Sequence, residues 1–205
     1  MKLTRQAASD AVTPHGWRLV LRALRCHVPA GSLAALEELM RQAGDSRLHI
    51  DLRPDGALLT LQSATGEVTT AETALATRIS ATVPTRPAGT RPVQALEIAI
   101  DALDIPAIRP FWKAVLAYHE DDDGALSDPH AQGPTIWFQQ MTTPRPQRNR
   151  IHLDVSVPHD EAPRRIEAAI QAGGRLLNAT EAPSFWVLAD PEGNEACITT
   201  WQARD

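Results

Sequence analysis

The chain lacks any apolar run approaching the about 18 residues that a membrane-spanning helix needs. It also lacks a basic excess: 20 Lys and Arg stand against 25 Asp and Glu, a net charge of −5. Gripping nucleic acid or an anionic membrane surface takes a positively charged face, so this balance argues against both partners. Cysteine is scarce. Cys26 and Cys197 are the only two, far apart and without paired-ligand spacing. Two buried thiols in a reducing compartment are the expectation. The segment MKLTRQAASDAV has no hydrophobic signal core, which points to the cytoplasm. No glycine-rich phosphate loop, nucleophile elbow or CxxC pair is present.

What is there is an ordinary globular composition, 43% hydrophobic and 22% charged, long enough for one large or two small domains. The segment VPTRPAGTRP at residues 83–92 carries Pro84, Pro87, Gly89 and Pro92. It cannot be helical, and a central strand would lose a ladder bond at each proline. It reads as a linker between units at 13–82 and 93–202, giving an α+β protein.

In the first unit, residues 17–27 read as one strand. Ser32 caps a helix at 33–43 that Gly44 ends. Residues 48–53 and 57–63 form a hairpin around Pro54-Asp55-Gly56. Thr69 and Glu72 make a capping box that opens a helix to about residue 80.

The second unit gives a strand at 93–101 and a helix at 105–117, with Pro110 predicting a kink or a late start. A strand follows at 135–140, then the Pro/Arg loop 142–149. A strand through His152, a helix at 160–172 and strands near 175–177, 185–189 and 195–200 complete it. A βα unit followed by strands thus occurs twice. Around His152, apolar Ile151, Leu153 and Val155 alternate with Arg150, His152, Asp154 and Ser156. That period of two marks a half-buried strand with one ionisable face. Leu96, Ile98 and Ile100 should face the helices with Ile151, Leu153 and Val155. Glu97, His152 and Asp154 should then face a cavity, and Glu195, Cys197 and Thr199 share one face of the last strand.

The segments IDALDIPAIRPFWKAVLAY, GPTIWFQQM, NRIHLDVSVP and LADPEGNEACI closely resemble the glyoxalase-like branch of the vicinal oxygen chelate superfamily. The resemblance implies paired βαβββ modules curling into an open barrel around a ligand cup. It also implies metal positions at Glu97, His152 and Cys197. The family's third ligand is usually a carboxylate, and here a cysteine holds that place, with Glu195 two residues earlier. Such a set suits a divalent ion such as zinc or iron. The alternative is a polar cup that holds its ligand through His152 and Asp154 alone. Trp137 and Trp186 would flank the cup or its rim, and Arg150, with Arg145 and Arg148, could clamp an anionic group.

The first unit resembles a pterin-4a-carbinolamine dehydratase, an α+β sandwich, through DLRPDG, LLTLQ and VTTAETALATRIS. The family's histidine positions fall on Ser46, Arg47 and about Ser63, and its helix aspartate falls on Glu72. His49 is displaced from the pattern. Carbinolamine dehydration needs a base and an acid that work near neutral pH, so an inactive domain is expected. Binding a partner or extending a sheet into a homodimer is the role left to it.

The leading expectation is a small-molecule enzyme or binding protein acting through the cup at His152, Glu97 and Asp154, with Trp137, Trp186, Arg150 and Glu195 contacting the ligand. The alternatives are 4a-hydroxytetrahydrobiopterin dehydration in the first unit and a non-catalytic, oligomeric, ligand-sequestering protein.

Overall fold

The structure is a computed structural model of the 205-residue chain, and it describes residues 1–43, 47–63, 67–85, 93–144 and 151–203. Two compact units emerge, Met1–Ala95 and Leu96–Asp205. No helix among the described residues is long and apolar enough to cross a membrane.

The first unit opens with helix α1 (Arg5–Val12), capped by the Thr4 hydroxyl, which accepts from the Ala7 N–H at 3.2 Å. The sequence reading has no counterpart for it, because only Ala8 and Val12 reach the core. The single strand expected at 17–27 is instead a hairpin of β1 (Arg18–Val20) and β2 (Ala23–Pro29). Leu21 makes the turn at φ 56°. Without a glycine or proline there, the sequence carries no ordinary turn signal. Helix α2 (Leu33–Ala43), strands β3 (Leu48–Arg53) and β4 (Gly56–Leu61), and helix α3 (Thr70–Thr82) follow. Ser32 is the buried residue of an otherwise exposed 3₁₀ turn (Ala30–Ser32) before α2. The expected stop at Gly44 and the site position at Ser46 lie outside the described residues.

The sheet order is β1-β2-β4-β3, all antiparallel. Register sets Leu24 against Leu61, Cys26 against Leu59 and Val28 against Ala57. These residues pack with Trp17, Leu36, Leu75 and Ile79 as one core. Burial pushes the Cys26 thiol well up from its ordinary range. Val83, taken from sequence as the start of the linker, is fully buried in this core.

The second unit repeats one topology twice. Strand β5 (Glu97–Ala102), helix α4 (Ile105–Leu116) and strands β6 (His119–Glu120), β7 (Leu126–Ser127) and β8 (Thr135–Gln140) give a sheet ordered β5-β8-β7-β6. Strand β9 (Leu153–Ser156), helix α5 (Ala162–Gln171) and strands β10 (Arg175–Asn178), β11 (Phe185–Ala189) and β12 (Glu195–Thr199) give β9-β12-β11-β10, the same order. In each sheet the first strand lies parallel to the last. A parallel neighbour needs a crossover, which α4 and α5 supply with the strands after them. The ladders form two separate four-stranded sheets and close no barrel among the described residues.

Helix α4 starts at Ile105 and runs through Pro110 without the expected late start. Pro106 and Pro110 are exposed, so water can serve the carbonyl that loses its N–H partner. Ile98, Ile100, Ile136, Phe138, Leu153, Val155, Leu188 and Ile198 meet Ile108, Phe111 and Trp112 in one core. Gly174 permits this closeness: a β-carbon there would stand 2.3 Å from the Phe111 ring. Leu96 and Ile151, also expected against the helices, are 68% and 80% exposed. Both precede the regular strands, where the pleat no longer fixes side-chain direction.

Candidate functional site

Strand parity splits β9 and β12 into two faces. Leu153 and Val155 pair with Ala196 and Ile198 and join the core. Asp154 pairs with Cys197, and Ser156 with Thr199, on the face away from it. His152 precedes β9 by one residue and shares Asp154's parity. Its Nδ1 lies 2.9 Å from Asp154 Oδ1 and 3.7 Å from Cys197 Sγ. The His152 and Asp154 side chains are 49% and 58% exposed, whereas Cys197 is buried. Beyond them the hydroxyls of Ser156 and Thr199 meet at 2.8 Å. That pair is not among the candidates drawn from sequence, although the parity that selects Asp154 and Cys197 reaches it too. Glu195 sits two residues before Cys197 on the same face, paired with Ala189.

The other sheet has the same two-faced construction. Ile98, Ile100, Ile136 and Phe138 turn to the core. Glu97, Ala99 and Asp101 lie opposite Thr135, Trp137 and Gln139 on the open face. Trp137 stands beside the small Ala99 and keeps 38% of its surface exposed. Trp186, expected at the cup wall, pairs with Ile198 and packs on the helix-side core, the face opposite Cys197. Arg150, with Arg145 and Arg148, lies outside the described residues.

The DPEGN turn belongs to the scaffold. Asp190 is fully buried and accepts four hydrogen bonds. They come from the Trp112 indole at 3.0 Å, the Asn194 side chain at 2.8 Å, and the Glu192 and Asn194 N–H groups at 2.9 Å. Glu192 reaches back to accept from the N–H groups of Leu103 and Asp104, at the entry to α4. One turn therefore ties the last strand of the second module to the helix of the first, with its buried carboxylate satisfied.

The candidate residues of the first unit are dispersed. His49 is exposed on β3. Glu72 is 2% exposed and fully engaged. It closes the capping box with Thr69, accepting the Thr69 N–H at 2.8 Å, and takes a 2.9 Å bond from Arg47. Burial alone would push this carboxyl up, but the bonds from Thr69 and Arg47 outweigh it and hold it below its ordinary value. The Ser63 hydroxyl donates to the Glu67 carbonyl at 2.6 Å.

The metal positions implied from sequence are Glu97, His152 and Cys197. Among the described residues, the His, Cys, Asp and Glu side chains whose donor atoms all lie within 4.8 Å of one another are His152, Asp154 and Cys197. Glu97, on the other sheet, is not in the group. Imidazole, carboxylate and thiolate are each zinc-class donors, so the chemistry fits with the donor set changed by one residue.

Residues 97–199 match the family described as a glyoxalase-like domain. No curated protein matches the chain. Solved structures similar to it include a glyoxalase/bleomycin resistance protein/dioxygenase family enzyme from Burkholderia phytofirmans PsJN. That likeness is 20% identical over 51% of this chain and 95% of that one, with TM-score 0.40. The fosfomycin resistance protein FosX from Mesorhizobium loti is 10% identical over 51% and 88%, with TM-score 0.43. A hypothetical protein from S. aureus is 13% identical over 54% and 95%, with TM-score 0.42.

Proposed function

This chain belongs to the glyoxalase-like domain family, and we propose from that premise that it is a small-molecule enzyme or binding protein working through the open sheet face of its second unit. The observation that carries the reading is the meeting of His152, Asp154 and Cys197 on that face, away from the core. Side chains that support packing are buried against apolar neighbours. His152 and Asp154 are not, so the fold has little use for their chemistry. Trp137 offers an exposed aromatic surface to an apolar or flat part of a ligand. Glu97 and Glu195 belong to the reading as polar contacts for the ligand, and Arg150 as a charged one.

The first unit, in this reading, does not dehydrate carbinolamines. Glu72, the counterpart of the family's carboxylate, has its oxygens occupied by a helix cap and by Arg47, and His49 stands apart from it in the pattern. Its role is then structural or in association.

A thermal-shift screen of small metabolites against the full chain tests the proposal. Hits are expected whose affinity falls about tenfold or more in His152→Ala and in Trp137→Ala, a loss near 1.4 kcal/mol of binding. The circular dichroism of both variants should match the parent. Hits that bind both variants as tightly as the parent would place the ligand elsewhere and defeat the reading.

A further inference from the structure

From the open-face reading, on which this rests, we infer that the ligand is a neutral aryl carbonyl compound. Phe185 and Val187 form the apolar wall for its ring, and the Ser156–Thr199 hydroxyl pair donates a hydrogen bond to its carbonyl oxygen.

Register puts apolar side chains on the polar face. Strand β11 runs antiparallel to β12, with Phe185 opposite Thr199 and Val187 opposite Cys197. Strand β9 completes the rows on the other side, with Ser156 opposite Thr199 and Asp154 opposite Cys197. Directly opposed residues share a face, so an aromatic ring and a branched aliphatic chain stand in line with polar groups. Trp186, between the two, packs with the helix-side core, and that core includes neither Phe185 nor Val187. The wall is pinned at its start, where the Thr200 N–H donates to the Ser184 carbonyl at 2.9 Å, next to Phe185.

Exposure changes across these rows. Asp154 and Ser156 are exposed, Cys197 and Thr199 are buried, and Phe185 and Val187 are half-buried. The face therefore has a sheltered floor along β12, a polar margin at β9 and an apolar margin at β11. Half-buried hydrophobic side chains outside the core are surface that an apolar ligand removes from water, the main favourable term in binding a small molecule. A phenylalanine wall favours an aryl body, which stacks on it or meets it edge-on.

The hydroxyl pair has a direction. The two oxygens lie 2.8 Å apart, so one hydroxyl donates to the other. Thr199 is 4% exposed, and its hydroxyl meets Ser156 alone among the described residues. If Ser156 donated, the buried Thr199 proton would be left without an acceptor, so Thr199 donates and Ser156 accepts. The Ser156 proton then points to an acceptor on the open side. Ser156 and Phe185 stand two strand spacings apart, about 10 Å, which an aryl ring bearing a carbonyl can bridge. A single neutral donor suits a carbonyl oxygen, and the Asp154 carboxylate in the next row disfavours an anionic head.

Titration of the full chain with acetophenone, ethylbenzene and benzoate, followed by ligand-observed NMR, provides the test. The three probes share one ring and carry a neutral acceptor, no acceptor and an anionic head. Acetophenone should bind about fivefold more tightly than ethylbenzene, the worth of one neutral hydrogen bond. It should exceed benzoate by about tenfold. Ser156→Ala should bring acetophenone down to the affinity of ethylbenzene. Phe185→Ala should weaken both by about tenfold or more. Val187→Thr keeps the side-chain shape and should also weaken both, so the test stays decisive if Phe185→Ala fails to fold. Acetophenone that does not bind, that is matched by benzoate, or that binds Ser156→Ala and Val187→Thr as tightly as the parent overturns the inference. Screen hits that still depend on His152 and Trp137 would then leave the small-molecule reading standing. Acetophenone bound through Ser156 and Val187, beside screen hits indifferent to His152 and Trp137, upholds the inference and removes those two residues from the reading.

Discussion

Glu72 in the first unit and Asp154 in the second are both carboxylates at positions where the sequence suggests a site, yet the fold uses only one of them. Glu72 is buried, and its oxygens meet the Thr69 N–H, the Thr69 hydroxyl and Arg47. Asp154 is more than half exposed and touches His152 beside the Cys197 thiol. Asp190 belongs with Glu72, its oxygens taken by Trp112, Glu192 and Asn194. The contrast teaches that a motif carboxylate becomes a site candidate only when the scaffold leaves it unspent. The DPEGN turn and the Thr69–Glu72 box are prominent in sequence because they hold the fold together.

The comparison predicts a graded cost of removing each carboxylate. Asp190→Ala should be the most damaging. It orphans the buried Trp112 indole and the turn N–H groups, at a cost of about 3 kcal/mol or more. Urea unfolding of the full chain should show the midpoint falling steeply; a loss below about 1 kcal/mol would break the assignment of Asp190 to the scaffold.

Glu72→Gln should cost less, about 1–2 kcal/mol at neutral pH, as the cap and the Arg47 contact weaken. The effect must depend on pH. The folded carboxyl lies below its ordinary 4.5, so the unfolded chain takes up the proton first as pH falls. Its stabilisation is therefore complete above about 4.5 and is lost as pH drops through the folded value. Parent and variant should converge in stability towards low pH. Urea midpoints measured at stepped pH values check this, and a constant gap between them would remove the charge from the account.

Asp154→Asn should be nearly silent in stability, within about 0.5 kcal/mol, because the group is exposed and supports no packing. A loss comparable to that of Glu72→Gln, measured by the same unfolding curves, would erase the distinction between the two regions.

The sequence made much of this scaffold legible where a periodicity had room to express itself. Strands such as β5, β8 and β12 are long enough to alternate, and the Thr69–Glu72 box appears as read. Strands β6 and β7 have two residues each, too few for any pattern. Trp186 shows the limit for single residues. An aromatic on a half-buried strand suits either face, and only its pairing with Ile198 assigns it to the core.

For the candidate site, the sequence by itself determined sides. A pleat alternates by covalent geometry, so Asp154 had to oppose Leu153 and Val155, and Cys197 had to oppose Ile198; His152, one residue before β9, joins Asp154 only through the folded contact between them. Neighbours were decided only in the tertiary structure. Which donor stands next to Cys197 depends on the crossover that returns β12 parallel to β9, and on a register that sets Cys197 against Asp154. A shift of one residue in that register would have turned the same donors to opposite faces, and no local pattern in either strand encodes the choice.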